Sequence, residues 1–133
     1  MDLSIKIEDS RLYIRTAIVV RVGEDYIFEK SPKGYMFLVG GKLKINELSY
    51  DGAKRELMEE IGLDTDDLSL LKVLEHIFHN GEENIHEICF VYICNEDFKG
   101  GMPDTGFAKI KREDLSSSDI RPEIIKNLLV NSN

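Results

Sequence analysis

The sequence predicts an α+β fold in which helices accompany a mixed β-sheet. Several stretches alternate apolar and polar residues or are rich in β-branched residues, which is typical of strands. Two other stretches carry apolar residues at helical spacing, and they do not alternate with the strands in a regular βαβ order. The chain has 133 residues, the size of one domain, and no repeat or Pro/Gly-rich linker divides it. We therefore expect a single domain over residues 1–133.

The predicted strands are short and are separated by turn residues. In chain order they cover Leu3–Ile7, Leu12–Ile14, Ala17–Val22, Tyr26–Glu29, Tyr35–Val39, Leu68–Phe78, Ile85–Cys94 and Phe107–Ile110. The dipeptide Asn80-Gly81 predicts a hairpin turn between the two longest strands. Near the C-terminus, Arg112–Leu115 predicts a helical turn, and Pro122–Leu129 predicts a closing helix with proline near its first position.

The clearest predicted helix covers Leu48–Gly62. At 100° per residue its apolar residues form one stripe: Ala53, Leu57 and Ile61. Its glutamates form an acidic stripe beside the apolar one: Glu56, Glu59 and Glu60. Ser49 is the predicted N-cap, and Gly62 is the residue at which the helix is predicted to end.

The charge balance excludes one class of function and leaves another open. Seventeen Lys and Arg against twenty-five Asp and Glu give a net charge of −8. A general nucleic-acid binder needs clustered Lys and Arg to neutralise phosphates, so no nucleic-acid partner is expected. A small phosphorylated substrate is compatible with the acidic chain if a metal ion bridges it to the carboxylates.

No segment is typical of a membrane anchor or a secretion signal. The longest apolar runs, Ala17–Val20 and Ile88–Cys94, are far shorter than the roughly 20 residues of a transmembrane helix. The first residues lack a basic region followed by an apolar stretch. Cys89 and Cys94 lie five residues apart in one predicted strand, hence on opposite faces, where they cannot easily pair. We therefore expect reduced thiols, a cytoplasmic location and no membrane partner.

The segment around the long helix gathers residues that suit metal-assisted chemistry on phosphates. Gly40-Gly41 follows a predicted strand and can bring backbone close to a ligand. Three carboxylates at positions i, i+3 and i+4 share a helix face and repel one another unless a cation lies among them. Mg²⁺ prefers such oxygen ligands and is commonly held together with substrate phosphates. Arg55 can hydrogen-bond a carboxylate and fix its rotamer.

This segment resembles the Nudix box, G-x5-E-x7-R-E-U-x-E-E-x-G-U, in which U is a bulky aliphatic residue. All nine fixed positions are filled: Gly41, Glu47, Arg55, Glu56, Leu57, Glu59, Glu60, Gly62 and Leu63. Nine specified residues at set spacing make the resemblance to the Nudix hydrolase family specific. The order of the surrounding strands and the final helix is also similar to that of a Nudix domain, so the resemblance extends over the chain.

The resemblance implies an α/β/α sandwich that hydrolyses a nucleoside diphosphate linked to another group. It implies Mg²⁺, or Mn²⁺ in its place, as the cofactor. The implied metal contacts are three helix carboxylates, the carbonyl of a glycine and one further glutamate: Glu56, Glu59, Glu60, Gly40 and Glu47. The implied catalytic residues include an arginine that orients a carboxylate: Arg55, Glu56, Glu59 and Glu60. Family members are often homodimers, so a homodimer is an expected assembly.

Several assignments stay open at this stage. The general base is either Glu56 or a glutamate outside the box, for which three residues are candidates: Glu82, Glu83 and Glu87. The substrate is a small nucleotide such as a nucleoside triphosphate or a modified one, or alternatively ADP-ribose or a nucleotide sugar. A Nudix-like binding or regulatory domain without turnover is a third reading, which the complete set of box glutamates disfavours.

Aromatic and histidine residues in the strand patterns have two interpretations. The aromatic residues are expected mostly in the core, with one available to stack on a base: Tyr13, Tyr35, Phe37, Phe78 and Phe90. The histidines are expected on strand surfaces or facing a substrate, because they lack the spacing of a zinc site: His76, His79 and His86.

Overall fold

The computed structural model describes residues 1–103 and 105–132. In this part of the chain, seven strands and two α-helices follow one another. They are β1 (Ser4–Ile7), β2 (Ser10–Val22), β3 (Asp25–Lys30), β4 (Met36–Lys42), α1 (Ser49–Ile61), β5 (Leu68–His79), β6 (Asn84–Cys94), β7 (Phe107–Ile110) and α2 (Glu123–Val130). The predicted helical turn after β7 is a 3₁₀ turn at Arg112–Asp114. Across the two described ranges, every helix is too short or too polar to span a membrane.

The sheet is mixed, and the two helices cover its opposite faces. Its strand order is β5-β6-β2-β4-β3-β7, and β1 pairs with β2 beside this path. β2 and β6 run parallel, whereas the other paired strands run antiparallel. One core cluster contains Ile125 and Leu129 of α2, and the other contains Ala53 and Leu57 of α1. The predicted α+β fold with a sheet between two helical layers is therefore confirmed.

The central strand β2 is longer than its apolar pattern predicts. The predicted strands Leu12–Ile14 and Ala17–Val22 form one continuous strand, Ser10–Val22. Arg15 and Thr16 interrupt the apolar pattern, but both remain paired with β6 on one side and β4 on the other. The backbone ladder joins the two apolar pieces because its hydrogen bonds do not depend on side-chain polarity.

Helix α1 packs on the sheet through the predicted apolar stripe. Ala53 and Leu57 are completely buried, and Ile61 is nearly so. They share a core cluster with Ile18 of β2 and Val39 of β4. Because glutamates flank this stripe on the same helix, packing of the stripe holds the acidic stripe against the end of β4.

The two ends of α1 compare differently with the prediction. Gly62 ends the helix as predicted, because its φ of 68° is left-handed and its N–H donates to the Met58 carbonyl at 3.1 Å. The prediction of Ser49 as N-cap is wrong, since the helix begins at Ser49 and Leu48 occupies the cap position. The Ser49 hydroxyl lies 2.6 Å from the hydroxyl of Tyr92 instead. A tertiary hydrogen bond has therefore replaced the local cap.

The β5–β6 connection contains the predicted turn dipeptide, Asn80-Gly81. It covers four residues, 80–83, because each strand extends one residue further toward the turn than predicted. The Asn80 side chain closes it by accepting the backbone N–H groups of Glu82 and Glu83, each at 2.9 Å. At the other end of the chain, Pro122 precedes α2 instead of lying inside it.

Both cysteines are free and buried, as expected from their spacing. Cys89 lies in the core cluster on the α2 side of the sheet, and Cys94 lies in the cluster on the α1 side. Burial raises the pKa of both thiols, that of Cys89 to about 12. The prediction that they occupy opposite faces is confirmed.

We predict that Leu57→Ala lowers the free energy of unfolding by about 2–5 kcal/mol, because it opens a cavity at a completely buried position between α1 and the sheet. The neighbouring change Met58→Ala is the matched control, since Met58 is 48% exposed, and a shift within about 0.5 kcal/mol is expected for it. Urea denaturation measures both variants. Equal shifts in the two would contradict the packing described for α1.

Candidate active site

The end of β4 and the acidic stripe of α1 are in direct contact. Gly41 of β4 pairs with Thr16 of β2. A Cβ atom on Gly41 would lie 2.5 Å from the Glu56 Oε1 atom, so the Glu56 carboxylate would have to move away from the strand. A Cβ atom on Gly40 would collide with the Thr16 carbonyl oxygen. Close approach of backbone therefore requires glycine at position 40, and Gly41 leaves the space in which the Glu56 carboxylate lies against the strand.

A single guanidinium holds three of the predicted glutamates. The Arg55 Nε and Nη2 atoms donate to the two carboxylate oxygens of Glu47, at 2.7 and 3.0 Å. Its Nη1 atom donates to Glu56 Oε1 at 3.0 Å and to Glu59 at 3.2 Å. These hydrogen bonds hold the pKa of Glu47 below its usual value and raise the pKa of Arg55. One guanidinium therefore contacts three carboxylates at once, an arrangement that restricts their rotamers.

The glutamates of the acidic stripe differ in their surroundings. Glu56 is 6% exposed, and burial raises the pKa of its carboxyl while the charge of Arg55 opposes that rise. The Glu59 side chain is half exposed, at 52%. Glu60 is partly exposed, and its negative charge acts on Glu29 of β3. Neighbouring positions on one helix therefore give one buried and two accessible carboxylates.

Glu29 is a site residue that the motif does not include. Its Oε2 atom accepts the Gly40 N–H at 3.2 Å. Burial, followed by the negative charge of Glu60, raises the pKa of Glu29 to about 7. A sequence signal was present, because Glu29 is two residues from the fully buried Ile27 and alternation in a strand puts both on the same face.

These residues border a cavity of about 420 Å³. It is lined by Asp2, Arg15, Phe37, Gly40, Gly41, Lys42, Lys44, Arg55, Glu56 and Glu59. Of the predicted site residues, the cavity thus brings together Gly40, Arg55, Glu56 and Glu59, and Glu47 joins them through Arg55. Four of the lining residues are basic, although the chain is acidic. The cavity therefore combines carboxylates with side chains that attract anions.

The donor atoms of this cavity suit a hard divalent cation. Within residues 1–103 and 105–132, no three Asp, Glu, His or Cys side chains are arranged around one position for a metal ion. Instead, Arg55 occupies the space between the carboxylates. The atoms that could bind a metal ion are carboxylate and carbonyl oxygens. Gly41 leaves room for the Glu56 carboxylate against the backbone. That oxygen chemistry fits Mg²⁺ or Mn²⁺ rather than a softer metal.

The structure separates the three glutamates outside the box from this cavity. Glu83 is paired with Arg11, whose Nε atom lies 2.7 Å from its Oε1 atom. Glu82 is exposed in the β5–β6 loop. Glu87 is buried on β6 and borders a different cavity. None of the three lines the cavity that contains Glu56.

A second cavity of about 850 Å³ lies on the α2 side of the sheet. Four of the five aromatic residues considered above line it: Tyr13, Tyr35, Phe37 and Phe78. The fifth, Phe90, packs against the core on the α1 side. His76 and His79 also line the second cavity, whereas His86 lies 3.5 Å from Glu75. The expectation that most of these aromatic residues form the core is therefore wrong for four of them.

Arg15 connects the two cavities. It lines both of them, together with Phe37, over whose ring its guanidinium lies at 5.8 Å. Its Nε atom is buried and has no hydrogen-bond partner among the described residues. A buried donor without an acceptor is costly, so this position favours a ligand that carries an oxygen anion. The sequence signal for this residue was a charged side chain that interrupts an otherwise apolar strand pattern.

Comparisons with solved structures show the same fold. MutT NUDIX hydrolase from Burkholderia pseudomallei aligns with 90% of this chain and 98% of its own, at a TM-score of 0.71 and 23% identity. Ap4A hydrolase from C. elegans covers 90% and 94%, with a TM-score of 0.65 and 12% identity. Dihydroneopterin triphosphate pyrophosphohydrolase from E. coli covers 90% and 96%, with a TM-score of 0.64 and 13% identity.

Sequence comparison gives the family directly. No curated protein sequence matches the chain significantly. The family model described as the NUDIX domain matches residues 13–119, which include every strand from β3 to β7, helix α1 and the complete box. With the box residues assembled around Arg55 on this fold, the chain belongs to the NUDIX family of phosphoanhydride hydrolases.

Proposed function

We propose that this protein is a Mg²⁺-dependent pyrophosphohydrolase that cleaves a phosphoanhydride bond in a nucleoside diphosphate linked to another group. The proposed substrate is a small nucleotide such as a nucleoside triphosphate or a modified one. One observation carries the proposal: a carboxylate cavity ordered by Arg55 adjoins an aromatic cavity, and Arg15 lines both. The first suits a polyphosphate with its cation, and the second suits a heterocycle.

The carboxylates would repel the negative phosphates of a substrate unless a cation lies between them. In the proposed reaction, Mg²⁺ is held by the three carboxylates of α1, Glu47 and the Gly40 carbonyl, and Mn²⁺ can replace it. When bound, this cation neutralises phosphate charge and makes water a better nucleophile. The donor chemistry described above supports the assignment, because each proposed contact is an oxygen atom.

The protein's own residues supply orientation and a base. Arg55 holds Glu47, Glu56 and Glu59 in fixed rotamers, so these carboxylates are ordered before the substrate arrives. We assign the proton-accepting role to the Glu56 carboxylate, because the glutamates outside the box do not line this cavity. Burial favours proton uptake at that carboxylate, which suits a general base.

Basic side chains support a phosphate ligand between the two cavities. Arg15, Lys42 and Lys44 line the first cavity beside the carboxylates. The buried Nε atom of Arg15 is available to a phosphate oxygen that bridges the cavities. A heterocycle attached to that phosphate would then lie beside the aromatic residues of the second cavity. The names of two structural neighbours specify Ap4A and dihydroneopterin triphosphate, and both compounds join a heterocycle to phosphates.

The first experiment measures phosphate release, with pyrophosphatase or phosphatase as coupling enzyme and with or without Mg²⁺. The panel contains nucleoside triphosphates, oxidised nucleotides, ADP-ribose, nucleotide sugars and dinucleoside polyphosphates. Mg²⁺-dependent release from a nucleoside triphosphate is the expected result. Release from ADP-ribose or a nucleotide sugar alone would replace the proposed substrate. Ligand binding detected by thermal shift, without turnover of any compound, would indicate a binding domain instead of an enzyme.

We predict that Glu60→Gln lowers turnover by orders of magnitude and leaves the fold intact, because it removes a proposed metal contact from a partly exposed position. Asp51→Asn is the matched control, since it removes a carboxylate from the exposed first turn of the same helix. Steady-state kinetics and circular dichroism compare the two variants. Full activity of Glu60→Gln would contradict the site assignment.

We predict that Glu29→Gln stabilises the metal-free protein at pH 8 and leaves its stability nearly unchanged at pH 5. The pKa of Glu29 is about 7 in the folded protein and lower in the unfolded chain. The folded state therefore holds more protons between about pH 4.5 and 7, and the contribution of Glu29 to stability is lost as pH rises through 7. Glutamine mimics the protonated carboxyl and removes this loss.

Melting temperatures in the presence of a chelator, measured from pH 5 to pH 8, test this pH dependence. Glu24→Gln is the control, because Glu24 is exposed in the β2–β3 turn. A pH profile that is the same for Glu29→Gln as for the unmodified protein would show that Glu29 titrates normally.

A further inference from the structure

A buried carboxylate borders the second cavity and has no role in the proposed hydrolysis. Glu87 lies on β6 and is 5% exposed, with its side chain at 7%. Among the described residues, its ion-pair partner is His76, whose Nδ1 atom lies 3.8 Å from its Oε2 atom, and no Lys or Arg pairs with it. A buried carboxylate without a strong cation needs hydrogen-bond donors to offset its desolvation.

The Tyr13 hydroxyl is a neighbouring group that can meet part of that requirement. Tyr13 neighbours Glu87 across the β2–β6 ladder, and both residues line the cavity. Burial, followed by the negative charge of Glu87, raises the pKa of Tyr13 to about 12, so the phenol keeps its proton. One hydroxyl offers a single donor, whereas a carboxylate has two oxygens and about four acceptor positions. The Glu87 carboxylate can therefore accept further hydrogen bonds from a ligand bound in the cavity.

Aromatic side chains flank this carboxylate on both sides. Tyr35 and Phe37 lie on the β4 side, with ring centroids 6.2 Å apart. His76 and Phe78 of β5 stack on the other side at 4.6 Å. In the sheet, β5 and β4 are three strand spacings apart, about 14 Å. Glu87 on the intervening strand β6 therefore lies at the base of a cavity whose walls suit a planar ring.

We propose that Glu87 selects the heterocycle of the substrate by accepting two neighbouring N–H groups from it, and that this heterocycle carries a 2-amino-6-oxo edge of the guanine type. The inference rests on the proposed function, because it takes the second cavity as the place where the nucleotide base binds. The phosphates would then extend past Arg15 toward the box carboxylates.

Hydrogen-bond chemistry distinguishes this edge from the other bases. An ionised carboxylate only accepts hydrogen bonds. Guanine presents a ring N–H beside an exocyclic amino group, which are two adjacent donors that match the two carboxylate oxygens. Adenine and cytosine place an acceptor nitrogen beside their amino group, and uracil places carbonyl oxygens on both sides of its N–H. Each of these would set an acceptor against the buried carboxylate, which is unfavourable.

Calorimetric binding of nucleoside monophosphates in the presence of a chelator tests this selection without hydrolysis. The unmodified protein is expected to bind GMP at least about tenfold more tightly than IMP, which lacks the amino group, because one charge-assisted hydrogen bond is lost. AMP is expected to bind more weakly still. Equal affinities for GMP, IMP and AMP would overturn the proposal, and this comparison needs no variant.

The variant Glu87→Gln makes the test specific to one side chain. Glutamine offers one acceptor and one donor, which matches the edge of adenine rather than that of guanine. We expect the variant to lose the preference for GMP over IMP and to gain affinity for AMP relative to GMP. Glu75→Gln is the matched control, because the Glu75 side chain is 75% exposed on the neighbouring strand. An unchanged order of affinities in Glu87→Gln would overturn the role of Glu87.

Hydrolysis of GTP, ITP and ATP by the unmodified protein separates this inference from the proposed function. Turnover of all three triphosphates at equal kcat/KM would refute selection by Glu87 and leave the hydrolase proposal intact. Selective binding of GMP without turnover of any triphosphate would support selection and refute the hydrolase proposal. Preferential turnover of GTP, with the preference lost in Glu87→Gln, would support both.

Discussion

The contacts of the Arg55 guanidinium are the interaction on which the candidate active site depends. Without that cation, the carboxylates of Glu47, Glu56 and Glu59 would repel one another at the end of β4. The same guanidinium fixes their orientation, and the missing side chain of Gly41 allows Glu56 to approach the strand. A divalent cation bound there would share these carboxylates with Arg55. The guanidinium would then supply one positive charge to the cluster, and the metal ion would supply a second source of positive charge.

The sequence predicts the neighbouring carboxylates of the first cavity, because they are close in the chain, but not its lining residues Asp2, Arg15 and Phe37. The spacing of the box puts Glu56, Glu59 and Glu60 on one helix, and the apolar stripe of that helix determines which way they face. The local pattern also gave a wrong N-cap at Ser49 and did not identify Glu29 as a site residue. Ser49 bonds Tyr92 rather than capping the helix, and Glu29 joins the site through pairing of β3 with β4. Both depend on residues far away in the chain, which local patterns do not report.

The second cavity was not predictable in the same way. Its walls come from β2, β4, β5, β6 and the segment before α2, so its composition depends on strand order and register. Aromatic residues such as Tyr35 and Phe78 resemble core residues in the sequence. Alternation predicts on which face of a strand a side chain lies, but it does not predict whether a helix or a cavity covers that face. Glu87 gave a weak signal, since it stands two residues before the buried Cys89 on the same face of β6. Only the folded structure shows that a cavity, and not a packed layer, covers this face of β6 at Glu87.

The length of β2 has a consequence for the mechanics of the protein. This strand pairs with β1, β3, β4 and β6, and its Arg15 borders both cavities. Separation of β2 from a neighbour would disrupt the ladder that supports the two cavities together, so they belong to one cooperative unit. The β5–β6 loop at the rim lies outside this ladder, whereas the residues before α2 are joined to β4 by backbone hydrogen bonds of Met36 with Asp119 and Arg121. Changes in substrate preference can therefore accumulate in that loop while the ladder beneath the carboxylates of α1 is preserved.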